Sequence, residues 1–392
     1  MPVNPDSLWW LAAAPLIAVL HELGHALAAR PAGYRVTSFG IGHGKPLMRW
    51  RLRNGTIVYL GRWLFSGGLC VAIPVDPVPA RRWLYHSGGL LVQAALALVL
   101  WPLAQVLPVL ENVFWFNLAV ILWNLVPLRI GGYATDGWQL VSDLFRPARS
   151  GHLFAARAEV ERFLRFEARV GSPLGITWCR LTLRWMDILC GLDDDGWEPD
   201  EVMLMAEPQL EALNGYVVAE RHRVEGRSLA ALHTVQKLRR AWGAHLPPLA
   251  LDMLTVAEAR AYLAQDEPKL AQQTIARLAG ATGVVSHDAA AIELRAALQL
   301  DDLGAVHNGA RRLVALMDEG LLDAPEAVRT LWDAASWLKE AGRIEAAEEL
   351  GREARAAARD LIGSAAPKDK VAIAARLGEV AGVVVTRKRA GP

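Results

Sequence analysis

Apolar positions along this chain fall into two regimes. Up to about residue 128 they form long unbroken runs, and beyond about residue 150 they recur at helical spacing between charged positions. Residues 8–29 make the first run, with no charge between Asp6 and Glu22. As a helix this stretch would be about 33 Å long, enough to cross a bilayer core. Residues 83–107 make a second run, interrupted only by Gly88-Gly89 and Pro102, and residues 113–128 a shorter third. The intervening loop, 108–112, carries no base. By contrast, residues 30–82 hold nine Arg or Lys and one acid, Asp76. The positive-inside rule makes that basic loop cytoplasmic, which puts the N-terminus outside and everything after the third run inside. Its stretches 34–39, 47–53 and 56–64 are β-prone and separated by glycine-rich turns such as Asn54-Gly55. A small hairpin or sheet on the membrane is expected there.

The second regime predicts amphipathic helices. Residues 174–192 are apolar enough to invite a fourth span, but Arg180, Arg184 and Asp187 argue against it. Four helix–turn–helix units follow, with turns near Gly226, Pro268, Asp302 and Gly342, roughly 34 to 42 residues apart. That spacing resembles a short tetratricopeptide-like α-solenoid. The expected fold is mainly α: a membrane domain over 1–149, of about three spans plus the β element, then a soluble helical repeat domain over 150–392. Charge divides the same way. Residues 1–150 hold 12 Lys and Arg against 6 Asp and Glu, and the remainder 30 against 35. Nothing in that distribution points to nucleic acid. Cys70, Cys179 and Cys190 are scattered without CxxC spacing, which does not look like a disulfide framework or a second zinc site and suits packing in a reducing cytoplasm. A cleavable leader is disfavoured, because the first seven residues carry Asp6 and no base.

Candidate chemistry sits in the first run. Residues 21–25 read His-Glu-Leu-Gly-His. On a helix His21 and His25 share one face, where two imidazole nitrogens can hold one zinc ion, and Glu22 beside them can take a proton from a water. The bland reading is a surface stripe on an ordinary helix. Two imidazoles and a carboxylate at membrane depth are costly without a partner, and no base between residues 8 and 29 could pair with Glu22. A catalytic zinc needs a third protein ligand. Asp136 is the leading candidate, because it opens a short helix after the third run and Gly131-Gly132 allows the chain to fold back. Asp143, His43 and His86 are the rivals. Asn117 reads as an interhelical hydrogen-bonding residue, and Trp83, Trp101, Trp115 and Trp123 as packing and interface anchors.

His-Glu-Leu-Gly-His in the first run, Asn124-x-x-Pro127 ending the third, and Asp136-Gly137 after it, in that order, resemble the site-2 protease family of intramembrane zinc metalloproteases. Gly88-Gly89-Leu-Leu-Val-Gln93 is similar to that family's Gly-Pro-x-x-Asn segment with Pro and Asn replaced, and residues 39–44 to its glycine-rich turn. The resemblance covers about residues 8–145. It departs from the family pattern in the nine positions separating Pro127 from Asp136 and in the single glycine after the Asp. It implies His21, His25 and Asp136 as zinc ligands, Glu22 as catalytic acid and base, and Asn124 as a residue positioning substrate. The function so implied is cleavage of membrane proteins in or near their transmembrane segments, by a multi-pass protein of a bacterial cytoplasmic membrane. The helical repeats would bind a protein or peptide partner. The competing expectation is an inactive membrane-anchored scaffold that recruits partners through those repeats.

Overall fold

Helix α1 (Trp9–Ala29) is apolar apart from His21, Glu22 and His25, with Pro15 inside it. The computed structural model describes residues 9–75, 81–130, 133–144, 152–192, 196–201, 204, 207–278, 284–318 and 325–381. After α1 come two long strands, β1 (Tyr34–Arg51) and β2 (Ile57–Pro74), joined by a turn in which Gly55 takes a φ of +85° and Asn54 Oδ1 accepts the Thr56 N–H. The strands double back on each other. Residues 34–41 pair antiparallel with 68–74 on one side, 38–41 pair in parallel register with 57–60 on the other, and 57–61 pair again, antiparallel, with 46–51. A hairpin thereby becomes a small sheet.

Helices α2 (Arg82–Val106) and α3 (Val109–Leu125) follow. The expected loop 108–112 shrinks to Leu107 and Pro108, because proline caps a helix without losing a needed N–H and Glu111 suits the positive end of the helix dipole. At the other end Val126 precedes Pro127 and is forced to an extended conformation, which stops α3. Glycines set how closely α1 and α2 approach. A Cβ on Gly24 would stand 2.3 Å from the Gly88 carbonyl oxygen, and one on Gly88 would stand 2.5 Å from that of Gly24.

After α3, the two-residue strands β3 (Arg129–Ile130) and β4 (Tyr133–Ala134) pair and return the chain, and α4 (Asp136–Leu144) begins. Gly131 and Gly132, expected to make this turn, lie outside the described residues. Thr135 closes the loop: its hydroxyl donates to the Val126 carbonyl at 2.6 Å and accepts the N–H groups of Leu128 and Trp138. That hairpin takes up the long spacing between Pro127 and Asp136.

By contact density the chain divides into two units: residues 1–146 with 163–176, and residues 147–162 with 177–392. In the first, polar side chains are buried beside apolar ones, and many large apolar side chains are exposed. The buried polar side chains include His21, Glu22, His25, Gln93 and Asn117, while Leu16, Leu27, Leu98, Val106, Trp115 and Leu122 are exposed. Among the described residues Arg82–Val106 is the one helix long and apolar enough to cross a membrane; Ala13–Ala29 and Val109–Leu125 are shorter apolar helices.

Helices α5 (His152–Val170) and α6 (Pro173–Cys190) are parted by Gly171 at φ +77°. Four helical pairs then pack in sequence: α7 (Pro208–Val224) with α8 (Ser228–Trp242), α9 (Pro248–Leu263) with α10 (Pro268–Ile275), α11 (Val284–Gln299) with α12 (Leu303–Asp318), and α13 (Pro325–Glu340) with α14 (Ile344–Ser364), followed by α15 (Lys370–Leu377). Their turns carry Gly226, Asp266, Asp301 and Gly342, each at positive φ, at or next to the expected breaks. Proline at 268 opens α10 instead of marking the turn. Leu210, Tyr216, Leu254, Leu294, Leu313 and Leu331 fill the core. Within it Arg260 bonds Asp288 at 2.8 Å, and Arg223 bridges Glu220 and Glu326, both at 2.9 Å.

Candidate metal centre

Because α1 is helical through residues 21–25, His21 and His25 project from one face. Both are buried. His25 Nδ1 lies 2.8 Å from the Tyr85 carbonyl oxygen, which can only accept, so that nitrogen carries the proton. His21 Nδ1 lies 3.0 Å from Gln93 Oε1 and donates in the same way. Both Nε2 atoms are then left with lone pairs, and they lie 3.2 Å apart.

Asp136 completes the cluster from the first turn of α4. Its Oδ2 is 3.1 Å from His21 Nε2 and its Oδ1 3.3 Å from His25 Nε2. A Cβ on Gly137 would stand 2.0 Å from the Leu125 carbonyl oxygen, so the glycine after Asp136 lets α4 close on the end of α3. Two lone-pair nitrogens and a carboxylate converging out of water repel one another unless a cation lies between them. Tetrahedral ligands about 2.0–2.2 Å from zinc would be roughly 3.3–3.6 Å apart, close to the separations observed. Asp136 Oδ2, buried and without a hydrogen-bond donor among the described residues, also fits a cation there. The donor set suits zinc: two imidazoles and one carboxylate leave a fourth position open.

Glu22 stands on the neighbouring face against β2. It accepts the backbone N–H of Cys70, and a Cβ on Gly68 would come within 2.6 Å of its Oε1. Tyr85 fixes that strand through a 2.8 Å bond from its hydroxyl to the Cys70 carbonyl. One strand therefore holds Glu22, while α2 orients both imidazoles.

The sequence-predicted residues separate as follows. His21, His25 and Asp136 come together, with Glu22 adjacent. Asn124 is half-buried on the last turn of α3, with its backbone beside Gly137. His43, paired across the sheet with Trp63, and His86, edge-on to Tyr85, are not part of the cluster. The side chain of Asp143 and all of Asp76 lie outside the described residues. Sequence reasoning missed the supports: Gln93 as the partner of His21, the Tyr85 carbonyl and the Cys70 amide. Only Gln93 left a signal, as the single amide in the apolar run from residue 87 to 103. Asn117 donates to the Gln93 carbonyl at 3.0 Å, the interhelical bond expected of it.

Residues 10–109 match the model of peptidase family M50. The match bears out the resemblance to the site-2 protease family, whose members are zinc metalloproteases and membrane proteins. The M50 segment contains His21, Glu22, His25 and Gln93 and stops before Asp136. No solved structure matches the chain.

Proposed function

We propose that this protein is a zinc-dependent intramembrane endopeptidase that cuts membrane proteins in or near their transmembrane segments. The observation carrying the reading is the convergence of His21, His25 and Asp136, with Glu22 beside them, inside a unit whose helices α1, α2 and α3 expose large apolar side chains such as Leu16, Leu98 and Leu122. A buried polar cluster behind an exposed apolar surface suits lipid better than water. The three helices α1, α2 and α3 are taken as spans, with the N-terminus outside and the helical repeats in a bacterial cytoplasm.

His21, His25 and Asp136 would hold the zinc, which supplies Lewis acidity toward the scissile carbonyl and makes water a better nucleophile near neutral pH. Glu22 takes the proton from the attacking water and returns it to the leaving amine. Gln93 and the Tyr85 carbonyl keep both Nδ1 positions protonated, so each imidazole presents Nε2 to the metal. A transmembrane substrate hides its carbonyls in helical hydrogen bonds and must unwind before it can be cut. An edge of the β1–β2 sheet would then hold it extended, as an added strand. Asn124, at the end of α3, would bind exposed substrate backbone. The helical repeats would select or recruit a protein or peptide partner.

The test is Glu22→Gln. Zinc content should stay as in wild type, while cleavage of a model membrane substrate falls by at least about a hundredfold. A variant that cleaves normally would remove Glu22 from the chemistry. A wild type that binds zinc and cleaves nothing would favour the scaffold.

A further inference from the structure

Glu167, on α5, lies far along the chain from the metal centre, yet it is fully buried against the sheet that supports it. Its Oε1 accepts hydrogen bonds from the hydroxyls of both Thr37 and Ser38, each at 2.8 Å. Adjacent residues of a regular strand point to opposite faces, so two consecutive side chains cannot share one carboxylate oxygen. They do so here because β1 is bulged: Val36 pairs with Ala72 and Ser38 with Val71, which leaves Thr37 as the extra residue. The bulge lies one pair away from Phe39–Cys70, and Cys70 gives its N–H to Glu22. The surroundings are built around this carboxylate. Ser172 accepts the Gly175 N–H at 3.1 Å, and a Cβ on Gly175 would stand 2.5 Å from Glu167 Oε2. Phe166 and Val170 pack beside it on Ile57 and Tyr59.

We propose that Glu167 is a positioning residue for the catalytic base: by gathering Thr37 and Ser38 it fixes the β1 bulge, and through it the register that presents the Cys70 amide to Glu22. The inference rests on the proteolytic reading above. Without an acceptor the two buried hydroxyls lose their shared partner, and the bulge loses what holds it open. A one-residue slip of the strand would exchange the faces on which its groups project and take the Cys70 N–H off Glu22. Burial also pushes the Glu167 carboxyl above its ordinary range, against the hydrogen bonds from Ser38, Thr37 and Ser172. A neutral amide is accordingly a fair substitute.

The experiment compares full-length wild type, Glu167→Gln and Glu167→Leu in the same detergent. Zinc content, kcat and KM on one membrane substrate, and hydrogen exchange of amides 68–72 are measured on each. Glu167→Leu should lower kcat at least tenfold with KM and zinc within twofold of wild type, and should speed exchange at 68–72 at least tenfold. Glu167→Gln should restore kcat to within about threefold. Unchanged kcat and exchange in Glu167→Leu, or a Gln variant as impaired as the Leu variant, would overturn the assignment. If Glu167→Leu does not fold, Ser38→Ala takes its place, with the same direction expected in kcat and exchange. Should wild type show no zinc-dependent cleavage, the proteolytic reading fails on its own, while the exchange data still decide whether Glu167 sets the strand.

Discussion

At the scale of single residues, the centre depends on which imidazole nitrogen carries its proton. Gln93 holds His21 in the ligating tautomer, so Gln93→Leu should weaken zinc binding by about 10–100-fold in a competition titration with a chelator. An unchanged affinity would remove Gln93 from that role. A second residue makes a prediction away from the metal. His287 is buried, and burial together with the Arg260 charge lowers its pKa from 6.5 to about 4. The unfolded chain then binds a proton that the folded one refuses, so this histidine destabilises the fold as pH falls from 6.5 to about 4. Over that interval the stability of wild type relative to His287→Gln should drop by about 3 kcal/mol, read from denaturant unfolding at each pH. A pH-independent difference would show that His287 titrates normally. The histidine pair itself was legible in the sequence because its geometry is local: four residues along a helix fix two side chains on one face. Gln93 and the Cys70 amide were not, because their contacts with α1 arise from packing between elements many residues apart.

Secondary-structure elements meet here through small residues and caps. Gly24→Leu would drive its side chain into the α2 backbone at Gly88, where neither helix can yield without moving His21 and His25. We expect loss of folded, zinc-loaded protein on size-exclusion chromatography, whereas Leu23→Ala on the same turn should be far milder. Thr135→Ala tests the other approach. It removes the cap that joins α4 to the end of α3, worth about 1 kcal/mol, and should release Asp136 enough to lower zinc affinity while the helical content by circular dichroism is kept. Equal affinity in the two proteins would mean that α4 is placed by other contacts. The sequence pointed to three apolar helices, to the Asn54-Gly55 turn and to the helical breaks near Gly226 and Gly342, since proline, glycine and apolar runs act locally. It misplaced the start of α3 by four residues, because a proline read as part of a loop is the cap of the helix. The β3–β4 hairpin was hidden for a related reason: two-residue strands carry no periodicity, and the nine-residue spacing could be read only as a departure from the family pattern.

Across the whole molecule, two kinds of polarity share one chain. The unit of residues 1–146 and 163–176 exposes large apolar side chains on α1, α2 and α3 in addition to those it buries, whereas the helical pairs pack theirs around Leu254, Leu294 and Leu331. Sequence composition separated these regimes near residue 150. It could not show that residues 163–176 associate with the first unit, since that depends on Glu167 meeting Thr37 and Ser38. If lipid surrounds the first unit, the protein should stay with membranes through carbonate extraction, and release into the supernatant would rule that out. A cation held between His21, His25 and Asp136 is what the proposed chemistry requires above all. The most direct test of that requirement is the zinc content of purified full-length protein set beside that of a His21→Ala, His25→Ala double variant. We predict about one zinc per chain in the wild type and close to none in the double variant. A metal-free wild type, or a double variant that keeps its zinc, would contradict it.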